Sequence, residues 1–392
     1  MLRTFRQKRP GFISMMAMIA AVFLFIIGVG LLTLGFNRRL YSIRSNQQIA
    51  ARCAADYGLT KAIYAMNVCL PDTPSLLPAE SSVSISGSDA KYSYTVTGSS
   101  GNYSIQAWGT SGSITKTVLC DLRLKSAFEY AILTKNNLDI GSVSTVDCSG
   151  CDDDGIPLKI GTTNNPNTDA QITLKPNSTV DGDILLGQGG IPSLVIGSGA
   201  TYHNIYAVAT DFDLPMPQLP KNFEASASNI GAIETSSSLS TSGKFKCEKI
   251  DLKNGGTLSV NANVELYITG DITLKNGADI NLAPNAKLTI YLTGAFDGYY
   301  GAGFNNGGDP RKLSIYGLGT NDIVIKNSDA FCGTIYAPNA DVRLHNSAKV
   351  YGSIIANNYT QDNSALFTYD ARLREITDAN LARFVPTHWR EL

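Results

Sequence analysis

A long, uninterrupted apolar run near the start of the chain defines its first element. Residues 12–36, FISMMAMIAAVFLFIIGVGLLTLGF, contain no charged side chain. As an α-helix this run spans about 37 Å, which is enough to cross a hydrocarbon core about 30 Å thick. A secretory signal peptide would have a shorter apolar region followed by a small-residue cleavage site. The pattern predicts a transmembrane or filament-core helix over residues 12–36.

The next segment, residues 37–70, keeps a helical pattern but becomes polar and rich in small side chains. Small residues recur on one helical face, mostly four positions apart: Ala50, Ala54, Gly58, Ala62 and Ala65. Such a face permits close approach of another element. Two interpretations remain open. The helix packs on its own domain, or it continues the membrane helix as a long stalk.

Period-two alternation replaces the helical pattern after Leu70. The runs SVSIS, KYSYTVTG, NYSIQAWG and ITKTVLCDLRL are rich in β-branched and aromatic residues and are separated by Gly and Ser. They predict a small antiparallel β-unit over residues 71–127.

Short strands separated by Asn, Gly and Pro make up residues 128–370, and a repeat is visible among them. LYITG at 266–270 recurs as IYLTG at 290–294, and APNA at 283–286 recurs at 337–340. A repeat of about 24 residues suits a β-solenoid, whose coils stack because one coil cannot bury its own apolar face. A β-sandwich built from hairpins is the alternative. The predicted fold is therefore mainly β with a long N-terminal helix.

Two segments depart from the solenoid pattern. Residues 211–245 contain Pro215, Pro217, Pro220 and a Ser/Thr run, which predict an irregular excursion or a linker. The C-terminal tail, residues 371–392, has a helical amphipathic pattern. We expect it to form a capping helix that covers the last coil, since an open coil edge promotes aggregation.

Composition narrows the classes of function. The 392 residues carry a net charge of −1, and only 17% of them are charged, so there is no basic field for nucleic acid. Three histidines leave little material for a His-based catalytic site, and no Ser-His-Asp order, GxSxG motif or P-loop is present. We expect a protein that is not an enzyme and has no cofactor.

Cysteines and clustered acids are the remaining candidates for a chemical site. Cys69 with Cys120, and Cys148 with Cys151, are candidate disulfides in an oxidising compartment. The segment CSGCDDDG at 148–155 lacks a second Cys or His pair for zinc and lacks the acid spacing of an EF-hand. A solvated acidic turn is expected there, without a metal.

The N-terminus resembles the signal of type IV pilins and pseudopilins. A short basic leader, residues 1–11, ends in Gly11 and is followed at once by Phe12 and the apolar helix. The resemblance implies cleavage by a prepilin peptidase after Gly11 and methylation of Phe12. Family members usually carry Glu at the fifth mature position, where this chain has Met16. That difference argues against a bulk pilin and fits either a rare subunit or an uncleaved anchor.

Two further stretches carry a resemblance. The segment QQIAARCAADYGLTKA, with Asp56 where a Glu is usual, resembles the N-terminal region of PilX-type pilus-assembly proteins. Residues 332–358, CGTIYAPNADVRLHNSAKVYGSIIANN, resemble an uncharacterised C-terminal β-domain often attached to such N-termini. The pair Tyr369-Asp370 and the closing Trp389 match the ends of those chains.

The sequence thus predicts a minor pilin or pseudopilin of a type IV pilus or related secretion filament, acting in assembly or adhesion. The implied partners are other pilin subunits, the prepilin peptidase, the bacterial inner membrane before assembly, and surface glycans or proteins. The β-rich body would lie in the periplasm or outside the cell. Met16, Ala50, Ala54, Asp56 and Gly58 are the candidate assembly residues.

Two alternatives stay open at this point. One is an uncleaved, membrane-anchored protein whose solenoid binds carbohydrate or a protein partner. Exposed aromatics would stack on sugars in that case: Tyr291, Tyr299, Tyr300, Phe304 and Tyr316. The other is a solenoid hydrolase or lyase, which needs paired carboxylates. The available acids are scattered among turns: Asp271, Asp279, Asp297 and Asp309.

Overall fold

The computed structural model describes residues 11–69, 77–99, 102–164, 171–192, 195–197, 199–207, 214–326, 329–375 and 383–392. It divides into two compact units, Met1–Arg123 with Phe384–Leu392, and Leu124–Arg383. The second unit is therefore inserted, in sequence, before the last strand of the first. The chain is mainly β with one long helix, as the sequence predicts.

The N-terminal unit consists of one helix and a small sheet. Helix α1, Gly11–Cys69, is continuous over 59 residues. The antiparallel strands are β1 Ala79–Ser84, β2 Lys91–Ser99, β3 Asn102–Ser111 and β4 Ile114–Lys125. A fifth strand, Arg383–Glu391, lies next to β4 at the edge of this sheet.

The C-terminal tail corrects the prediction of a capping helix. Residues 371–375 form a short 3-10 helix, residues 376–382 lie outside the described residues, and Arg383–Glu391 is a strand of the N-terminal sheet. Phe384 is 3% exposed and its ring meets Tyr103 edge-on at 5.2 Å. The Asn67 side chain accepts a 2.8 Å hydrogen bond from the Phe384 amide. Tertiary packing of Phe384 thus overrides the local helical pattern.

The inserted unit is a parallel β-solenoid built by two runs of the chain. The strands of the first run are β5 Ile132–Thr134, β6 Leu138–Ile140, β7 Thr145–Ser149, β8 Leu158–Thr162, β9 Ile172–Leu174, β10 Thr179–Val180, β11 Gly182–Leu186, β12 Ile196–Gly197 and β13 Ile205–Ala207.

The strands of the second run are β14 Ser228–Ile233, β15 Ser237–Leu239, β16 Gly243–Leu252, β17 Thr257–Val260, β18 Asn263–Ile268, β19 Ile272–Leu274, β20 Asp279–Leu282, β21 Lys287–Leu292, β22 Phe296–Gly298, β23 Gly303–Phe304, β24 Leu313–Gly317, β25 Ile323–Ile325, β26 Ala330–Ala337, β27 Val342–Leu344, β28 Lys349–Ala356, β29 Tyr359–Gln361 and β30 Leu366–Asp370. Short helices occupy corners: α2 Cys151–Asp154, α3 Phe223–Ser226, and the 3-10 helices Ala127–Glu129, Pro310–Lys312 and Ala371–Glu375.

The coils do not stack in sequence order. The first run starts in the middle of the solenoid and builds toward one end at β13. The second run starts with a distant coil at β14 and builds back toward the middle. The two runs meet where β28, β29 and β30 pair with β5, β6 and β7. We call this boundary the seam.

A column of aliphatic side chains fills the interior and passes through the seam without interruption. Strand register aligns these residues from coil to coil, and each is 1% exposed or less: Leu266, Ile290, Ile315, Ile335, Ile354, Ile132, Ile160 and Ile184. One coil alone would leave its isoleucine in water, so burial of the column requires that both runs stack.

Side-chain amides reinforce the seam at one corner. Asn136 donates to Asn357 at 2.8 Å, and Asn357 in turn donates to Asp341 at 2.9 Å. The backbone amide of Asn137 donates to the Asn358 side chain at 3.0 Å. These bonds give polar groups at a coil corner the partners that a continuous chain would otherwise supply.

A peptide segment connects the two runs along the outside of the solenoid. Residues 214–226, which we call the strap, bury Leu214 and Phe223 against the solenoid core. The carbonyl of Pro215 accepts a 2.8 Å hydrogen bond from the Tyr336 hydroxyl. Residues 228–245, which were expected to belong to an irregular excursion, instead form β14, β15 and the start of β16.

Candidate functional site

The first half of helix α1 is an apolar rod that its own unit does not cover. Between Ser14 and Phe36 every described side chain is exposed, apart from Gly28, which is half-buried. Met16 is 61% exposed and Phe23 is 63% exposed. Within the described part of the chain, this is the one helix long and apolar enough to cross a membrane, with a peak mean hydropathy of 2.7. It is compatible with a single-pass membrane anchor.

The second half of the same helix packs tightly on its own sheet. Ala51, Ala54, Ala55 and Ala62 are fully buried. Gly109 on β3 allows the close approach, because a Cβ there would stand 1.9 Å from the Ala51 carbonyl oxygen. At Gly58, a Cβ would stand 3.3 Å from the Tyr92 side chain. Small residues on both elements therefore let the two backbones meet.

This packing corrects part of the predicted assembly face. Ala54 and Gly58 face the chain's own sheet, so they are not available to another subunit, whereas Met16 belongs to the exposed rod. Ala50 and Asp56 are half-buried, and the Asp56 carbonyl accepts the Thr60 hydroxyl at 3.0 Å. The two interpretations of residues 37–70 prove compatible, since the helix is both a continuation of the rod and a packed element.

The predicted processing residues stand at the start of helix α1. Gly11 is its first residue and Phe12 its second, while the leader residues 1–10 lie outside the described residues. Cleavage after Gly11 thus stays a prediction.

The electrostatics of the packed half tie the sheet to the helix. Glu391, on the C-terminal strand, pairs with Lys116 at 2.9 Å and with Arg52 of helix α1 at 3.5 Å. The Tyr92 hydroxyl donates to Glu80 at 2.6 Å, and this hydrogen bond to a carboxylate, with burial, raises the pKa of Tyr92 to about 12. These groups stabilise the unit and show no feature of a catalytic site.

The structure resolves part of the cysteine prediction. Cys148 and Cys151 form a disulfide, with Cα atoms 5.8 Å apart, and the Arg374 guanidinium lies 3.3 Å from the Cys151 sulfur. Cys120 is a free, buried thiol whose pKa is raised by burial, so the bridge predicted with Cys69 is not formed. The side chain of Cys69 lies outside the described residues.

No group of three or more His, Cys, Asp or Glu side chains that could hold a metal occurs among the described residues. The carboxylates considered for hydrolysis are dispersed and locally bound. Asp271 accepts the Ala295 amide at 2.8 Å, Asp297 pairs with Lys326 at 2.6 Å, and Asp309 holds Arg311 at 2.7 Å. The Arg311 hydrogen bonds lower the pKa of Asp309 to about 2, so this group is ionised at neutral pH.

The aromatic residues proposed as a sugar platform are mostly internal. Strand register aligns four tyrosines on the outer side of neighbouring strands, which we call the tyrosine column: Tyr267, Tyr291, Tyr316 and Tyr336. The strap covers this column, and its Phe223 lies 5.5 Å edge-on from Tyr291. Tyr291, Phe304 and Tyr316 are buried, whereas Tyr300 is 62% exposed.

Tyr299 is held between two lysines rather than presented to a ligand. The Lys326 ammonium lies 3.6 Å from the centre of its ring, and the Lys275 ammonium lies 4.6 Å from it. The sequence analysis did not identify the polar side chains that lie beside the strap, because they come from separate coils of the solenoid. The alignment of the LYITG and IYLTG repeats was the available signal that these side chains lie on neighbouring strands.

Comparisons with known proteins add a family model and distant structures. Residues 218–376 match a domain of unknown function, DUF7305, which is less than half of the chain. No curated protein matches.

Two solved proteins align over long stretches at low similarity. One is the competence-associated pilin ComZ from Thermus thermophilus, at 14% identity and a TM-score of 0.27, covering 88% of this chain and 97% of that one. The other is the glycosylated ice-binding protein LeIBP from an Arctic yeast, at 12% identity and a TM-score of 0.29, covering 63% of this chain and 94% of that one. Because both TM-scores are below 0.5, neither alignment establishes a shared fold.

Proposed function

We propose that this chain is a minor, PilX-like pilin or pseudopilin that helps to assemble a type IV pilus or a related secretion filament. The observation that carries the proposal is the division of one continuous helix into an exposed apolar half and a packed half. An apolar rod rigidly joined to a folded unit can insert among the equivalent rods of other subunits. Membrane residence before assembly is the natural state of such a rod.

In this proposal the two units have separate tasks. The exposed half of helix α1 enters the filament core, and the small sheet fixes the helix by its Ala and Gly contacts. The solenoid, inserted before the last strand of that sheet, presents a surface to the outside. The part played by the chain is then structural, in assembly or adhesion, and requires no cofactor.

The mass of the mature N-terminus tests this proposal. We expect cleavage between Gly11 and Phe12 and one methyl group on the new N-terminus, measured on protein from the membranes of a host that processes its other pilins. The Gly11→Val variant should retain its leader. The Gly28→Val variant is the matched control, because Gly28 has open space around it and the span stays apolar.

Retention of Met1 in the wild-type protein would contradict the proposal and would favour the uncleaved anchor. Equal processing of the Gly11→Val variant and the wild type would also contradict it. The apolar rod alone does not separate the two candidates, since both need a helix that lipid can surround.

A further inference from the structure

A polar groove runs beside the strap on the outer side of β18 and β21. It has a volume of about 360 Å³ and is lined by Pro220 of the strap, and by Asn263, Val264, Glu265, Lys287, Thr289 and Tyr291. A second hollow of about 250 Å³ lies at the following corner, lined by residues that include Pro284, Asn306 and Lys312. The groove is lined by β18 and β21, and the hollow by the end of β20 and the segment before β24.

Strand register places the polar side chains of the groove in rows. Asn263 pairs with Lys287, and Glu265 pairs with Thr289. Leu288 pairs with Leu313, so the residues that directly precede them, Lys287 and Lys312, are neighbours on adjacent coils, and Lys312 ends a 3-10 helix. Neighbouring strands lie about 4.8 Å apart, so an extended molecule lying across them would meet one side chain from each coil.

These side chains are largely unpaired within the part of the chain that the structure describes. Asn263, Lys287 and Thr289 have no side-chain hydrogen bond or ion pair there, and all are exposed or half-buried. The Lys312 ammonium donates to the Pro284 carbonyl, which carries no charge. This row of side chains is therefore accessible to an external partner.

The charge of the groove selects the class of partner. The Glu265 carboxylate lies 3.9 Å from the Lys244 ammonium, so the charges of these two side chains offset each other. Lys287 and Lys312 make no ion pair with any described residue, and they lie near the amide of Asn263 and the hydroxyl of Thr289. Ammonium groups bind carboxylates, while amides and hydroxyls exchange hydrogen bonds with sugar hydroxyls. Tyr291 and Pro220 add apolar walls of the kind that line ligand sites.

We propose that this groove and the adjoining hollow bind a carboxylate-bearing polysaccharide, with Lys287 of the groove and Lys312 of the hollow contacting successive acidic units. Asn263 and Thr289 bind the sugar hydroxyls between them. The strap, fixed by Phe223 on the tyrosine column, forms one wall. The inference concerns the solenoid alone and does not depend on processing at Gly11, so either can fail without the other.

The test uses the full chain in detergent and polygalacturonate as the probe, with dextran as the neutral polysaccharide. We expect binding to polygalacturonate that weakens as salt is raised, and no measurable binding to dextran. The double variant Lys287→Gln/Lys312→Gln should lose about tenfold in affinity. The control Lys175→Gln/Lys349→Gln removes the same charge at two exposed lysines outside the groove and should bind within about twofold of wild type.

Several results would overturn the inference. These are failure of the wild type to bind polygalacturonate, equal binding to dextran, or unchanged affinity in the groove variant with an unaltered circular dichroism spectrum. Polyglutamate serves as an acidic polymer without sugar hydroxyls. Equal affinity for polyglutamate would assign the groove to an acidic polypeptide and would reject the polysaccharide. The single variant Thr289→Val separates these outcomes further, since it removes a hydroxyl without changing charge.

Discussion

At the scale of single residues, Asp329 is the clearest case of a carboxylate whose environment changes its chemistry. It is 2% exposed and accepts amide hydrogen bonds from Ala302 and Lys326, both at 2.9 Å. Burial raises its pKa to about 6, against the effect of those bonds. The carboxylate oxygens of Asp329 therefore hold the chain at the corner before β26, although burial in the solenoid disfavours the ionised form of this side chain.

The pH dependence of solenoid stability follows from this shift. A carboxyl whose pKa is raised in the folded state binds its proton more tightly when folded, so stability is gained as pH falls from about 7 to about 4. The gain is at most about 3 kcal/mol for a shift of this size. Chemical denaturation at several pH values measures it, with Asp329→Asn as the control that removes the titration. Equal pH profiles for the two proteins between pH 4 and 7 would contradict the assignment.

At the scale of elements, the sequence was most informative about helix α1. The uncharged run identifies the apolar half of the helix, and the spacing of small residues identifies the packed half. Both patterns are local in sequence. The face contacted by the small residues could not be read from that spacing. Gly109, which makes the contact possible, lies on a strand remote in sequence and carries no local signal.

We therefore expect the Gly109→Ala variant to loosen the packed half of helix α1. The added Cβ overlaps the Ala51 carbonyl oxygen and the Ala55 amide, which belong to a backbone that cannot move aside. Overpacking of this kind costs about 1–3 kcal/mol. Amide hydrogen exchange over residues 51–62 should become faster. The Gly30→Ala variant, at a position with nothing within 4 Å, should leave exchange unchanged, and equal exchange in both variants would contradict the packing argument.

The C-terminal strand shows where local patterns fail. Leu373, Ile376, Leu381 and Phe384 have helical spacing, yet the last of these is buried in a sheet with Tyr103. The secondary structure of a short amphipathic segment depends on the surface against which it packs. Here that surface is the edge of β4, which lies more than 250 residues away in the sequence and could not be inferred from the local pattern.

At the scale of the whole molecule, the stacking of coils was predictable and the coil order was not. The LYITG repeat reveals the spacing of about 24 residues, which pairs Leu266 with Ile290. The seam pairs Ile354 with Ile132, although each would fit equally well beside many other coils. Since most coils offer an isoleucine at the same place, the side-chain pattern cannot fix the order of the coils. The strap and the side-chain amides at the corner of the seam distinguish the observed coil order instead.

The construction of the solenoid from stacked coils also determines which candidate surfaces could be predicted from the sequence. Asn263 and Lys287 of the groove and Lys312 of the adjoining hollow come from three coils, and only the stacking of the coils brings them together. The exposed rod, by contrast, is contiguous in sequence and was visible from it. Sites built along the chain are therefore predictable here, whereas sites built across coils required the structure.

The location of the mature chain tests the central claim most directly. We expect the protein in filaments sheared from the cell surface, as a minor component that co-sediments with the major pilin and is recognised by mass spectrometry of tryptic peptides from the solenoid. A variant with Phe23→Glu in the exposed rod should be missing from those filaments, because a charge in an apolar core is costly. Recovery of the wild-type protein from the inner membrane alone, in cells whose filaments are abundant, would contradict the account.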